Sequence, residues 1–251
     1  MKLTKEIIIS IAALIAFAFT PLFNKISQNY IDNSLKQAAV SYAITRSINA
    51  AVSIVQNSSV SLGVGIQGNV AIGEALDPIN DATERFSDLL TLSIWTLGAE
   101  KVLFELSNLP LFIAIVIVLA LINIYFKSKF LSKLLILMIV LKIFIPFSSA
   151  VSFYSDKYLF SPQIQKINKE LKPYVKEIKI EQKNQSFWDR IKQKATTFEE
   201  IKAYAAYYLS NTAKIINALI NLGSIYLGKL LLNILILPLI FVYIVKNIRL
   251  E

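Results

Sequence analysis

The chain has 251 residues, of which 55% are hydrophobic, and its formal net charge is +9. This hydrophobic share is above that of ordinary soluble domains and indicates membrane-spanning segments. Cysteine and histidine are both absent, which excludes disulfides, thiolate nucleophiles, histidine bases and the usual zinc sites. Any catalysis would have to rest on Asp, Glu, Lys, Ser, Thr or Tyr. Our first expectation is no catalytic residue, no bound metal and no cofactor.

Four apolar stretches have the length of membrane spans. They lie at residues 7–23, 109–126, 134–154 and 226–245. Each is close to the roughly 20 residues that cross a hydrocarbon core of about 30 Å, and the backbone there must be helical. The sequence therefore predicts an all-α integral membrane protein with about four transmembrane helices. Asn108 and Pro110 are expected to open the second span, as a cap and an early-turn proline.

The first stretch has a second interpretation. Lys2 and Lys5 precede it, and Ala16-Phe17-Ala18 resembles a signal-peptidase site, which would make residues 1–18 a cleaved signal peptide. The apolar run continues beyond that site to Phe23. We therefore interpret residues 1–24 as a retained transmembrane anchor.

Lysines cluster in the short segments that flank these spans. Three lie in the loop 127–133, two precede the first span, and Lys246 and Arg249 follow the last one. With four spans, all of these clusters face the same side, and short loops rich in lysine mark the cytoplasm. The pattern predicts a bacterial inner-membrane protein in which 109–154 is a transmembrane hairpin with its loop 127–133 in the cytoplasm. Residues 226–251 are then a transmembrane helix with a cytoplasmic end, and both termini are cytoplasmic. The segments 25–108 and 155–225 are then extracytoplasmic.

A glycine-rich stretch lies in the first external segment. Residues 61–69, SLGVGIQGN, contain the spacing G-x-G-x-x-G of dinucleotide-binding loops. No helix start follows the last glycine, so we expect no bound nucleotide. Apolar residues alternate along 60–67, and Gly68-Asn69 is typical of a two-residue turn, which predicts a β-hairpin at 60–74; a flexible loop is the alternative. We interpret the hairpin as an assembly surface that contains Gly63, Gly65, Gly68 and Gly73.

Helices are predicted on both sides of this stretch. Apolar spacing predicts one at 30–56 and an amphipathic one at 78–107. Part of the second, 86–107, lies on the membrane or forms a fifth span, although a fifth span would conflict with the lysine pattern. The acidic residues of 77–88 (Asp77, Asp81, Glu84 and Asp88) define a charged helix face. A solvated face is our interpretation, and a membrane-surface enzyme using these carboxylates is the alternative.

The second external segment is basic and helical. Residues 156–194 contain ten basic and five acidic side chains, a net charge of +5. The sequence 197–200, TFEE, is a capping box that begins a helix leading into the last span. We expect contact with the lipid bilayer or with solvent, and no binding of nucleic acid, because this segment is external and matches no nucleic-acid-binding pattern.

Two lysines lie within predicted spans. Lys142 is roughly 12 Å deep in the third span, eight residues from its start. A lysine at that depth is expensive and is a functional candidate, with Glu100 or Glu105 as its possible partner if 86–107 dips inward. Lys229 lies near the external edge, where it can snorkel to water. Together they suggest an anion path, and the alternative is contact with carbonyl groups or with Ser148 and Ser149.

These patterns lead to three functional hypotheses. The first is a non-enzymatic inner-membrane protein that acts by oligomerisation or by assembly with envelope partners. The second is a subunit of an ion channel or transporter that uses Lys142 and Lys229. The third is the membrane-surface enzyme. No motif of a known family is present, so the sequence predicts topology in more detail than biochemistry.

Overall fold

The computed structural model describes residues 4–19, 21–62, 68–175 and 187–247. Within these ranges the chain is almost entirely helical and contains no strand. Eight α-helices follow one another in the described residues, and π-helical turns connect α5 to α6 and α7 to α8. Their bounds are α1 Lys5–Phe19, α2 Pro21–Leu62, α3 Gly68–Asn108, α4 Pro110–Phe126, α5 Lys129–Ser155, α6 Ser161–Leu171, α7 Phe187–Leu231 and α8 Leu237–Asn247.

Several of these helices have the length and composition of membrane spans. Three stretches are long and apolar enough to cross a membrane: Asn24–Asn57, Lys129–Tyr174 and Glu199–Tyr243. A fourth candidate is the pair Glu74–Asn108 and Pro110–Phe126, which is bent by 59°. The helical class and the number of candidate spans agree with the prediction of about four transmembrane helices.

The first predicted span is divided between two helices. Helix α1 ends at Phe19, and α2 begins at Pro21. Proline is favoured in the first turn of a helix, because its missing N–H would have no partner there in any case. Residue 20, between these two described helices, lies outside the described residues, and α2 continues far beyond the predicted span to Leu62.

The chain divides into two compact units. Unit 1 consists of Met1–Gln37, Ser93–Ser161 and Gly228–Glu251, and unit 2 consists of Ala38–Leu92 and Pro162–Leu227. Helices α2, α3 and α7 each contribute residues to both units. Each unit thus combines parts of the chain that are distant in sequence.

Unit 1 has an apolar core and an apolar exterior. Helices α1, α4 and α5 pack on one another, and their shared core includes Phe17, Val116 and Leu135. On the outside, Leu111 and Phe130 are 72% and 74% exposed. Further exposed apolar side chains of unit 1 include Ile8, Ile11, Ile15, Ile115, Val118, Leu121, Leu137, Leu239, Ile240 and Val242. These exposed apolar side chains match the hydrocarbon of a lipid bilayer.

Unit 2 has the opposite kind of surface. Its buried apolar residues include Ile48, Val52, Leu76, Ile79, Ile164, Leu171, Leu219 and Leu222. Among its described residues, the exposed large apolar side chains are limited to Val40, Ile54, Leu92, Ile220 and Leu227. Scattered apolar residues of this kind are normal on proteins in water.

The β-hairpin predicted at 60–74 is wrong. Residues 60–62 end α2, and residues 68–74 belong to the first turns of α3. Hydrogen bonds join these helices in antiparallel order: Thr83 to Asn49, Ser53 to Asn80 and Gln56 to Asp77. The described residues on both sides of the predicted turn are therefore helical, and residues 63–67 lie outside the described residues. The alternating pattern covers only eight residues, and the pairing of two long helices outweighs that local preference.

Two π-helical turns interrupt the long helices of unit 1. They are Asp156–Phe160, between α5 and α6, and Leu232–Ile236, between α7 and α8. After each turn a backbone N–H reaches the carbonyl five residues earlier, from Ser161 to Asp156 and from Leu237 to Leu232. Single π turns inside α-helices occur frequently at functional sites. The side chains around these two turns are therefore the first place to look for one.

Candidate functional site

Lys229 and Asp156 form a buried ion pair beside the π turns. The Nζ atom of Lys229 donates a hydrogen bond to Oδ1 of Asp156, and the two side chains are only 6% and 9% exposed. Nζ also donates to Oγ of Ser34, at 3.3 Å. The sequence suggested that Lys229 snorkels to water, whereas in the structure a carboxylate neutralises it inside unit 1.

The π turn completes the surroundings of the Asp156 carboxylate. Oγ of Ser161 donates a hydrogen bond to Oδ2 of Asp156 at 2.7 Å, and Nε2 of Gln37 donates to that same Oγ. Residues five apart point in different directions along a regular α-helix, and the wider π turn brings them together. Both carboxylate oxygens are therefore hydrogen-bonded, as a buried charge requires.

A second chain of hydrogen bonds lies next to the ion pair. Oγ of Ser152 donates to Oδ1 of Asn233, and Nδ2 of Asn233 donates to the hydroxyl oxygen of Tyr30, each at 2.6 Å. Nζ of Lys229 is 5.9 Å from the centre of the Tyr30 ring. Tyr30 is 2% exposed, so its polar end depends on these partners rather than on water.

One side of α5 and its π turn connects these groups. Lys142, Ser149, Ser152 and Asp156 follow at intervals of seven, three and four residues, which places them on one face of the helix. Each of the four is at most 6% exposed. At about 1.5 Å per residue, they extend over roughly 21 Å, which is about two thirds of a hydrocarbon core. We call these four residues the α5 polar face.

Lys142 forms the other end of the α5 polar face. Its Nζ donates to the carbonyl oxygen of Ser107 at 2.9 Å and to Oδ1 of Asn108 at 2.5 Å. Nζ is also 5.3 Å from the centre of the Phe17 ring. Among the described residues no carboxylate lies within ion-pair distance of it, so neither Glu100 nor Glu105 is the partner. Contact with a carbonyl group was the other expectation from the sequence.

Asn108 has a different role from the one predicted. The cap of α4 is Leu109, whose side chain makes no capping hydrogen bond. The amide of Asn108 instead receives hydrogen bonds from Lys142 and from Asn24, the latter at 2.9 Å. It also donates to the carbonyl oxygen of Phe104 at 2.8 Å. Asn108 therefore supplies the acceptor that a buried lysine needs.

Glu100 contacts the middle of the α5 polar face. Oγ of Ser149 donates to Oε1 of Glu100 at 2.9 Å. Glu105, by contrast, is exposed and lies 3.9 Å from Nζ of Lys101. The two glutamates of α3 that the sequence linked to Lys142 are thus in different environments.

Sequence reasoning missed Asp156, although a signal for it was present. Asp156 follows the predicted third span by two residues, and Lys229 lies in the first turn of the predicted fourth span. Consecutive spans joined by one external segment place these ends on the same side of the membrane, so the two charges lie at a similar depth. Asn233 lies four residues after Lys229, on the same helix face. Tyr30 gave no comparable signal, because it lies in the segment 25–108, outside every predicted span.

The other sequence-predicted sites are not brought together. Gly63 and Gly65 lie outside the described residues, and Gly68 and Gly73 belong to α3. The acidic residues Asp77, Asp81, Glu84 and Asp88 are exposed on α3. Within the part of the chain that the structure describes, no group of three or more acidic side chains is placed to hold a metal ion.

Comparison with known proteins was made at three levels. No family model, no curated protein and no solved structure matches the chain. A function must therefore be inferred from the α5 polar face and the groups that contact it.

Proposed function

We propose that this chain is a non-enzymatic, membrane-integral protein that carries protons along the α5 polar face. The observation that supports the proposal is a series of four buried polar residues, two of them ionisable, inside a unit with an apolar exterior. Ionisable side chains within a membrane are expensive, and those that are kept mark ion paths and proton relays. The proposal develops the hypothesis of a channel or transporter subunit.

The ion pair provides a step that binds and releases one proton. A proton that arrives at the Asp156 carboxylate neutralises it and ends its attraction for Lys229. The ammonium group of Lys229 is then an unpaired buried charge, which favours loss of its own proton. When Asp156 passes its proton back to Lys229, the pair forms again. One proton enters and one leaves in each cycle, so the charge of the protein is restored.

Protons fit this arrangement better than the anion path that two lysines suggested. Lys229 is already neutralised by Asp156, and Glu100 adds a further carboxyl group beside Ser149. Carboxyl, hydroxyl and amine groups can bind and release protons, whereas the Asp156 carboxylate would repel an anion.

The other two hypotheses have less support from the geometry. Assembly with itself or with envelope partners was inferred from apolar external sequence. The part of that sequence in unit 2 exposes few large apolar side chains among its described residues, whereas the part in unit 1 exposes Trp95, Val102, Leu103 and Leu106, which suit lipid as well as a partner. The enzyme hypothesis needs converging carboxylates, and Asp77, Asp81 and Asp88 are exposed along a helix. From the lysine pattern we propose that the protein lies in a bacterial inner membrane with both termini in the cytoplasm.

Proton flux in liposomes tests the proposal. The purified chain is reconstituted with a pH-sensitive dye inside the vesicles, and a potassium diffusion potential drives proton uptake. We expect faster acidification than in protein-free vesicles. Asp156→Asn is expected to abolish this difference, because an amide cannot bind and release the proton.

Lys101→Met is the matched control. Lys101 also belongs to unit 1 and pairs with a carboxylate, Asp32, but both side chains are exposed. This variant is expected to keep the flux of the unmodified chain. If the unmodified chain acidifies vesicles no faster than lipid alone under either polarity of the potential, the proposed function is wrong.

A further inference from the structure

Glu100 lies on the side of α3 that faces the interior of unit 1. Leu97 and Phe104, one helical turn away in each direction, are buried in an apolar cluster with Tyr30 and Ile145. Oε1 of Glu100 accepts its hydrogen bond from Ser149, which is 0% exposed. Glu100 thus meets the α5 polar face through a hydroxyl group that water does not reach.

The charged residues near Glu100 in the sequence, unlike Glu100, form exposed ion pairs. Lys101 forms an ion pair with Asp32 at 2.9 Å and lies 3.9 Å from Glu105, and all three side chains are at least 39% exposed. Among the described residues, no lysine or arginine lies within ion-pair distance of the Glu100 carboxyl group. Lys229 acts electrostatically on the Glu100 carboxyl group, and Glu100 in turn acts on Tyr30. Lys229, however, is already paired with Asp156.

An ionised carboxylate in such a position has no cation to neutralise it. The Glu100 side chain is half-buried, so the neutral acid avoids the cost of partly burying a charge, and its O–H provides a hydrogen-bond donor. We propose that Glu100 is held as a protonated carboxylic acid and supplies protons to the α5 polar face. The supply role rests on the proposed function, whereas the protonated state does not.

A hydrophobic carbodiimide tests the protonated state directly. The O–H of a carboxylic acid adds across one C=N bond of dicyclohexylcarbodiimide to form an O-acylisourea. Migration of the acyl group to nitrogen then gives a stable N-acylurea. No atom is lost, so the modified peptide gains the full mass of the reagent. The reagent dissolves in lipid and reaches carboxylic acids within an apolar unit, where water does not hydrolyse the first adduct.

The experiment uses the full chain in lipid nanodiscs and maps the adduct by mass spectrometry of peptides. We expect modification at Glu100, loss of that adduct in Glu100→Gln, and no loss in Glu105→Gln, which changes the exposed glutamate of the same helix. The map of the unmodified chain is decisive by itself, so the result does not depend on whether Glu100→Gln folds. Unmodified Glu100, with or without an adduct elsewhere, overturns the proposal.

The flux assay separates this proposal from the proposed function. Proton flux in a chain whose Glu100 does not react would overturn the protonated glutamate and leave transport in place. A reactive Glu100 in a chain without flux would overturn transport and the supply role together. If both proposals are correct, treating the chain without substitutions with the carbodiimide abolishes its proton flux. The Glu100 carboxyl group that carries the adduct has no exchangeable acidic proton.

Discussion

Replacing Lys229 by methionine should strongly destabilise unit 1. Methionine has a similar length but no charge, so the substitution leaves the Asp156 carboxylate buried without its cation. The side chains of the pair are 6% and 9% exposed, which places them among buried ion pairs. Loss of one partner from such a pair costs roughly 3–5 kcal/mol of unfolding free energy. At about 1.4 kcal/mol per factor of ten, the unfolding equilibrium shifts by at least about a hundredfold.

The double variant Lys229→Met with Asp156→Asn distinguishes the ion pair from simple loss of packing. It removes both charges, so no unpaired carboxylate remains in the interior. The hydrogen bonds from Lys229 to Ser34 and to Asp156 are still lost, and each such bond is worth about 1 kcal/mol. We therefore expect the double variant to be more stable than Lys229→Met alone.

Denaturant unfolding in mixed micelles, followed by the circular dichroism of the helices, measures these differences. Lys101→Met is again the control, because it removes an exposed ion pair in place of a buried one. We expect it to lower the free energy of unfolding by less than about 1 kcal/mol. The reasoning fails if Lys229→Met unfolds at the same denaturant concentration as Lys101→Met. It fails equally if the double variant loses more unfolding free energy than Lys229→Met and Asp156→Asn lose when their separate losses are added.

Two further predictions concern Lys142 and the topology. Lys142→Met should cost less unfolding free energy than Lys229→Met, because no carboxylate is left unpaired. The expected loss is roughly 1.5–3 kcal/mol, for the hydrogen bonds from the charged ammonium group to Ser107 and Asn108. An equal loss in denaturant unfolding would mean that Lys142 has an acidic partner. The chain has no native cysteine, so Asp81→Cys and Lys129→Cys each give a single thiol at an exposed position. A membrane-impermeant maleimide should label Asp81→Cys in intact cells and Lys129→Cys only after lysis, and labelling of both in intact cells would contradict the proposed orientation.

The helical class could be predicted because long apolar runs leave few alternatives. A span must satisfy its own backbone hydrogen bonds, so runs such as 109–126 and 134–154 can only be helical. The same reasoning does not apply to 60–74, where the local alternation of apolar residues favoured strands. The described residues at 60–62 and 68–74 belong to two antiparallel helices, and the pairing of these helices depends on residues such as Asn49 and Thr83, which lie outside 60–74.

The partners of the buried charges were harder to predict. Lys142 and Lys229 were recognised because each is a lysine within an apolar run. Asp156 was not considered, because it falls just outside the predicted third span, and its link to Ser161 depends on a π turn. No periodicity in the sequence signals that turn, since it arises from how α5 continues into α6. Residue type identified the costly charges, but only the fold shows which group compensates each one.

The two π turns also make unit 1 sensitive to chain length. A π turn is equivalent to an α-helix with one residue inserted. Deletion of one residue, such as the exposed Leu159, would restore a continuous α-helix and rotate everything after it by about 100°. Ser161 would then leave the Asp156 carboxylate, and the hydrogen bond that it donates to Oδ2 would be lost. Substitutions at the exposed positions 157–159 should be tolerated. Insertions or deletions there should not be, because they would rotate the following helical residues away from their partners.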